Sequence, residues 1–209
     1  MFNLENYLII LFPIYYSLAS LFNSLIWMSH YINNSHLLLK IIPNVAFNIW
    51  IVTPVILKIT FIINPIYVLY KKLFIEIIEI IVNIIIIEVS FYSFHRLFHV
   101  PILYKYHKQH HSIKDVIGIA AVYCHWSEMI FVNLSGFIIS HIVFSHSFLH
   151  LMFIMIISIT NTIFISHSIS TSTHSNHHLK FNVNYGVLHT LDYYFGTTDI
   201  VLPGNRFFN

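Results

Sequence analysis

The chain is 209 residues long, 57% hydrophobic, 17% aromatic and only 9% charged. Soluble domains carry about a quarter charged residues. Ten Lys and Arg with eight Asp and Glu therefore cannot coat a water-soluble particle of this size, and a net charge of +2 is too small to draw nucleic acid. The single cysteine, Cys124, supports neither a disulfide framework nor a thiolate metal site. Sixteen histidines are left to explain, because imidazole is costly in lipid and does not serve as apolar filler.

A bilayer helix needs about 20 mostly apolar residues. The first candidate is Leu8 to Met28, with Pro13 inside; Glu5 and the lack of a basic flank ahead of it argue against a cleaved secretory signal. The second, Ile42 to Ile63, contains Pro54 and Lys58, and the third, Leu73 to Phe94, contains Glu76, Glu79 and Glu88. Met129 to Phe144 and Phe148 to Ser166 form a tight hairpin, whose first arm is short enough to be tilted or re-entrant. The expected fold is all-α: one integral membrane domain over residues 1–209, a helical bundle of about 4–5 spans, with residues 1–72 supplying the N-terminal spans.

Counting spans puts Phe94 to Ser127 and the tail after His167 on one membrane face. Arg96, Lys105, Lys108, Lys114, Lys180 and Arg206 lie on that face, against Lys71 and Lys72 on the other. The excess of basic residues assigns it to the cytosol.

The histidines cluster on the same face. His95 and His99 are spaced i, i+4, and His107, His110, His111 and His174, His177, His178 each form an HxxHH box. On a helix this spacing gathers side chains on one face, so each box is expected to aim its imidazoles at one point. Random placement yields roughly 0.1 such boxes per chain by match counting; this chain has two. His146 and His150 repeat the i, i+4 spacing in the hairpin turn, on the opposite side, and read with His30, His36 and His141 as interfacial or loop residues. Eight imidazoles exceed one coordination shell and indicate two metals, although nitrogen donors alone do not choose between Fe, Cu, Zn and Ni.

These motifs resemble the fatty acid hydroxylase/sterol desaturase superfamily of membrane di-iron oxidases, whose pattern is HxxxH, HxxHH and HxxHH around apolar segments. Glu88-Val-Ser-Phe-Tyr-Ser-Phe-His95-Arg96 is similar to the family's entry motif, and Tyr104-Lys-Tyr-His107-Lys-Gln-His110-His111 to its second box. Ala121-Val-Tyr-Cys-His125-Trp-Ser-Glu128 resembles a further stretch, with Trp126 in place of proline. The tail from His174 through Phe181, Asn184-Tyr185-Gly186 and Asp192 to Thr197 resembles the third box and its sequel, so the likeness covers residues 88–199. The segment joining Ser166-His167-Ser168 to His174 is shorter than in many members; His167 is the best additional ligand, with His125, His189 and Asn161 behind it.

The resemblance implies two iron ions, molecular oxygen and a lipid substrate, sterol or fatty acyl. Hydrogen is removed from an unactivated C–H bond, giving either an alcohol or a double bond. The HKQHH box, the His125–Glu128 stretch and the Phe181–Gly186 tail lean towards the sterol-acting branch. Glu88, Glu128 and Asp192 are expected to fix histidine tautomers from behind, and Asn184-Tyr185-Gly186 to be a supporting turn. Electrons are expected from NAD(P)H through a separate cytochrome b-type carrier or reductase, since the chain has no GxGxxG and no room for a fused redox domain. Lys105, Lys108 and Lys114 could dock that carrier or contact anionic lipid. The family implies the endoplasmic reticulum. The competing readings are a metal-binding or metal-transporting membrane protein without redox catalysis, and an inactive scaffold retaining the motifs.

Overall fold

A computed structural model describes residues 4–33, 35–114, 117–167 and 173–199, with only the backbone of His30; no strand occurs among the described residues. Helix α1 (Leu4–Ile26) is followed by the short α2 (Met28–Asn33). α3 (Ser35–Phe47) runs through a π-turn, Asn48–Val52, into α4 (Thr53–Ile63). The turn has a local cause: Pro54 lacks an N–H, and its ring would crowd the carbonyl four residues back in a regular helix. A widened turn ahead of it relieves the clash, and the Thr53 hydroxyl donates to the Asn48 carbonyl at 2.8 Å.

Helix α5 (Leu73–Phe98) is the longest among the described residues, and α6 (Pro101–His107) turns off its end. α7 (Trp126–Glu128) passes through a π-turn, Met129–Asn133, into α8 (Ser135–Phe144). α9 (Phe148–Thr160) ends in a third π-turn, Asn161–Ser166, before α10 (Thr173–Lys180) and α11 (Thr190–Tyr194) close the described chain. α8 crosses α5 closely because of Gly136, where a Cβ would lie 2.8 Å from the Ile87 Cα.

Three helical stretches are long and apolar enough to cross a membrane: Leu4–Ile26, Ser35–Ile63 and Phe148–Ser166. The pair Trp126–Asn133 and Ser135–Phe144, bent by 49°, makes a fourth if it counts as one span. Four is the lower end of the expected range, and three falls one short of it. α5 has the length at 26 residues, but Glu76, Glu79, Asn83 and Glu88 punctuate it. The second span starts at Ser35 rather than Ile42, because Leu37, Leu38, Leu39 and Ile41 keep the helix apolar across His36 and Lys40. Leu18, Phe22, Ile62 and Ile85 point outwards and are more than half exposed, as large apolar surfaces facing lipid are and those of soluble monomers rarely are.

Asparagines on the second span pin the loop that approaches the histidines. The Asn48 amide donates to the carbonyls of Val122 and Cys124, each at 2.9 Å, and the Asn44 side-chain oxygen accepts from the Cys124 amide at 3.1 Å. Buried backbone groups outside helices need such partners, so these side chains set the position of His125 to Glu128.

Candidate metal centre

Four segments deliver imidazoles to one end of α5. His95 and His99 close that helix, His107 closes α6, and His110 and His111 open a 3₁₀ turn directly after it. His174, His177 and His178 lie on α10, and His167 ends the third π-turn. All nine meet. His95, His99, His107, His111 and His177 form one group, and His110, His167, His174 and His178 a second; within each, the nitrogen ligand atoms lie within 4.8 Å of one another.

The boxes are shared between the groups, which corrects the expectation that each HxxHH aims at one point. Adjacent residues on a helix diverge by about 100°, so His110 and His111 part company, as do His177 and His178.

The nitrogens that converge are the Nε2 atoms. In the five-histidine group His99 and His177 approach to 3.1 Å, His111 and His99 to 3.2 Å, and His111 and His107 to 2.9 Å. In the other, His178 lies 3.1 Å from His110 and 3.2 Å from His174. Four of the histidines bond a main-chain carbonyl through the opposite ring nitrogen. His95 Nδ1–H donates to the Tyr185 carbonyl at 2.7 Å, His177 to Val183 at 2.6 Å, His178 to Ile113 at 2.9 Å and His167 to Thr162 at 3.2 Å. Glu128 supplies a carboxylate oxygen 2.9 Å from His107 Nδ1. A neutral imidazole that donates through Nδ1 carries a lone pair on Nε2. Lone pairs facing each other at about 3 Å repel unless a cation lies between them, and such spacings suit ligands sharing an ion at about 2.0–2.1 Å. The donor set therefore fits metal ions, one per group.

Burial keeps these rings neutral. It is the main cause holding His99 and His178 down at about 3, with neighbouring imidazoles adding to it. His107, His110, His174 and His177 are lowered well below the ordinary value for the same reason. Ligands are thus deprotonated at neutral pH without a proton having to be displaced.

The three acidic residues divide by role. Glu128 touches a clustered histidine. Glu88 instead accepts from the amides of Val187 and Leu188, at 2.9 and 2.7 Å, and Asp192 accepts from those of Tyr185 and Gly186, both at 2.7 Å. These two carboxylates hold the 185–191 turn, whose Tyr185 carbonyl is bonded to His95. Gly186 is required by that packing, since a Cβ there would lie 2.7 Å from Glu88 Oε1. Asn184 sits at φ 57°, a conformation asparagine tolerates, and donates to the Thr173 carbonyl at 3.0 Å, tying the turn to α10.

Neither His125 nor His189 joins either group. His125 caps α7, accepting from the Ser127 amide at 3.3 Å and the Ser127 hydroxyl at 2.8 Å. His189 is bonded to the Thr173 hydroxyl and lies 3.4 Å from Asp192. Asn161 donates to the Ser166 hydroxyl at 3.4 Å. Ser168 and Arg206 lie outside the described residues, and Lys180 is paired with Asp199 at 2.9 Å.

An apolar cavity of about 120 Å³ lies inside the bundle, lined by Phe12, Ile87, Met129, Phe137 and Met155 among others. A smaller one of about 60 Å³ reaches His167 and His174. Phe91, Asn133, Asn161, Thr162 and Val187 line both, so the two adjoin and lead from apolar interior to the four-histidine group.

A helical membrane protein with buried polyhistidine groups able to hold metal, opening on an apolar cavity, is the class this geometry defines. Comparison with known sequences gives the family: the fatty acid hydroxylase model matches residues 80–197, more than half of the chain, and the chain belongs to that family. Curated relatives include fatty acid hydroxylase domain-containing protein 2 of Macaca fascicularis and of Homo sapiens, each 37% identical over 126 residues. The match covers 57% of this chain and 38% of either relative. No solved structure matches.

Proposed function

We propose that this chain is a membrane-bound di-iron oxygenase that hydroxylates or desaturates a C–H position of a lipid, sterol or fatty acyl, with O₂. The observation that carries the reading is the pairing of two polyimidazole groups at the end of an apolar cavity. His95, His99, His107, His111 and His177 would hold one ion, and His110, His167, His174 and His178 the other. Two iron ions would supply O₂ activation and one-electron chemistry.

The chain's own residues do the rest. Main-chain carbonyls and Glu128 fix the ring orientations, Phe91 and its neighbours exclude water, and the cavity wall positions an apolar chain or ring against His167 and His174. Sub-ångström placement of the substrate then decides between alcohol and alkene. Electrons come from NAD(P)H through a separate cytochrome b-type carrier or reductase. The centre faces the cytosol, on the side carrying Arg96, Lys105 and Lys108, in the endoplasmic reticulum.

Metal analysis of purified protein together with lipid profiling tests this. Two irons per chain and an oxygen-dependent lipid product are expected; a hydroxyl and a double bond shift mass in opposite directions. Unchanged turnover in His110→Ala or His177→Ala would overturn the reading.

A further inference from the structure

A second histidine-rich cluster lies at the other end of α5, about 24 Å from His95 by the 1.5 Å rise over the sixteen residues between Glu79 and His95. His146 and His150, from the corner between α8 and α9, are almost fully buried. Their rings stack in parallel with centroids 3.8 Å apart. Both Nδ1 atoms face carboxylates of α5: His146 lies 3.0 Å from Glu79 Oε2, and His150 lies 3.4 Å from Glu76 Oε2. Glu79, His146 and His150 offer ligand atoms within 4.8 Å of one another.

We propose that His146, His150, Glu79 and Glu76 form a third metal site, for one divalent transition cation of the zinc type, separate from the nine-histidine centre.

Three observations point to a cation. First, His150 Nδ1 and Glu76 Oε2 are buried and have no hydrogen-bond partner, although they face each other. Second, charge is unbalanced. The site holds two carboxylates whose side chains are only 11 and 13% exposed. The cation that reaches them is Lys71, 2.6 Å from Glu79 Oε1; the other oxygen contacts on Glu76 are the Lys71 amide at 2.7 Å and the Ser147 hydroxyl at 2.5 Å, both uncharged donors. A buried negative charge without a counter-ion is costly.

Third, the far sides of the rings are provided for. His146 Nε2 lies 2.7 Å from the Ser140 hydroxyl, and His150 Nε2 lies 3.0 Å from the Asn83 amide. The side-chain oxygen of Asn83 is buried without a partner. Oxygen and nitrogen of an amide are interchangeable in placement, and turning this one lets Asn83 accept from His150 Nε2–H. Both rings then carry their proton on Nε2 and present a Nδ1 lone pair to the two carboxylates, the state a metal ligand needs. Two imidazole nitrogens with carboxylate oxygens suit zinc, whereas calcium and magnesium prefer oxygen throughout.

The test uses the full chain in detergent, stripped with chelator and then equilibrated with Zn²⁺, with bound metal counted by mass spectrometry and melting followed in parallel. To separate the two regions, the count is made in a His110→Ala/His177→Ala background as well as in the wild type. In both, His150→Ala and Glu79→Gln are expected to bind one tight zinc fewer, and to lose the rise in melting temperature that this zinc gives. Asn83→Ala, which removes the partner of His150, should weaken that site by about tenfold. Should His150→Ala fail to fold, His150→Gln and Glu79→Gln carry the same comparison. Equal zinc counts in wild type and in the folded variants would overturn the proposal and leave a metal-free buried ion pair.

Discussion

Two ends of α5 use the same sequence device, histidines spaced i, i+4, and turn it in opposite directions. At the nine-histidine end the Nδ1 atoms of His95, His177 and His178 are tied to carbonyls, and the Nε2 atoms converge. At the other end Ser140 and Asn83 hold Nε2 of His146 and His150, and Nδ1 faces Glu79 and Glu76. The difference teaches that spacing brings rings together, but the partner of the far nitrogen decides what they present. One end offers neutral nitrogen donors with a single carboxylate behind them; the other offers two nitrogens and two carboxylates.

The largest effect should separate the ends outright. His177→Ala removes a nitrogen that closes the five-histidine group and should cut lipid turnover by more than the about 100-fold typical of losing a supporting residue. His150→Ala should leave turnover in place. Loss of activity in both, assayed by product formation under oxygen, would merge the two sites into one machine. Glu128→Gln comes next: it keeps the shape but weakens the hold on His107, and about a 10–100-fold fall in iron occupancy or turnover is expected.

Gly186→Ala asks whether the turn behind His95 is as tightly built as its distances indicate. Its Cβ would press on Glu88, costing about 1–3 kcal/mol, or about 2–4 °C of melting temperature per kcal/mol in a chain of this size. An unchanged melting temperature would show that Glu88 yields freely. Acid acting on metal-stripped protein tests the buried rings themselves. His99 and His178 have their values lowered from 6.5 to about 3 on folding, so the unfolded chain binds more protons between those limits. Stability is then fully present above pH 6.5 and falls as the pH drops towards 3; a melting temperature flat from pH 7 to 4 would contradict this.

Eight of the nine clustered histidines were legible in the sequence, because a repeated HxxHH is rare and because apolar runs placed the boxes on one face; His167 came only from the family resemblance. How the boxes divide follows from helix geometry that the i, i+3, i+4 pattern hides: neighbours such as His110 and His111, or His177 and His178, diverge by about 100° and serve different groups. The groups that aim the rings were mostly silent too. The carbonyls of Tyr185, Val183 and Ile113 belong to backbone, which every residue has, and only Glu128 among the acidic residues reaches a clustered histidine. Spans were readable by length, and the π-turn before Pro54 has its cause in that proline, whereas no proline marks the 49° bend at Leu134. The His146–His150 pair looked like loop because its carboxylates, Glu76 and Glu79, are some seventy residues away in sequence and meet it only through the bundle.

The three π-turns have a consequence for how the interior is phased. Ile49, Met129 with Asn133, and Asn161 with Thr162 come one set from each turn, and all line the apolar cavity. A π-turn is an α-helix with one residue too many, so each resets the rotation of everything after it by about 100°. Deleting a residue from Asn161–Ser166 would restore a regular helix and swing His167 away from His174. The chamber and the centre at its end are therefore kept in register by three inserted residues, and the bundle's hydrophobic content could stay the same while that register was lost.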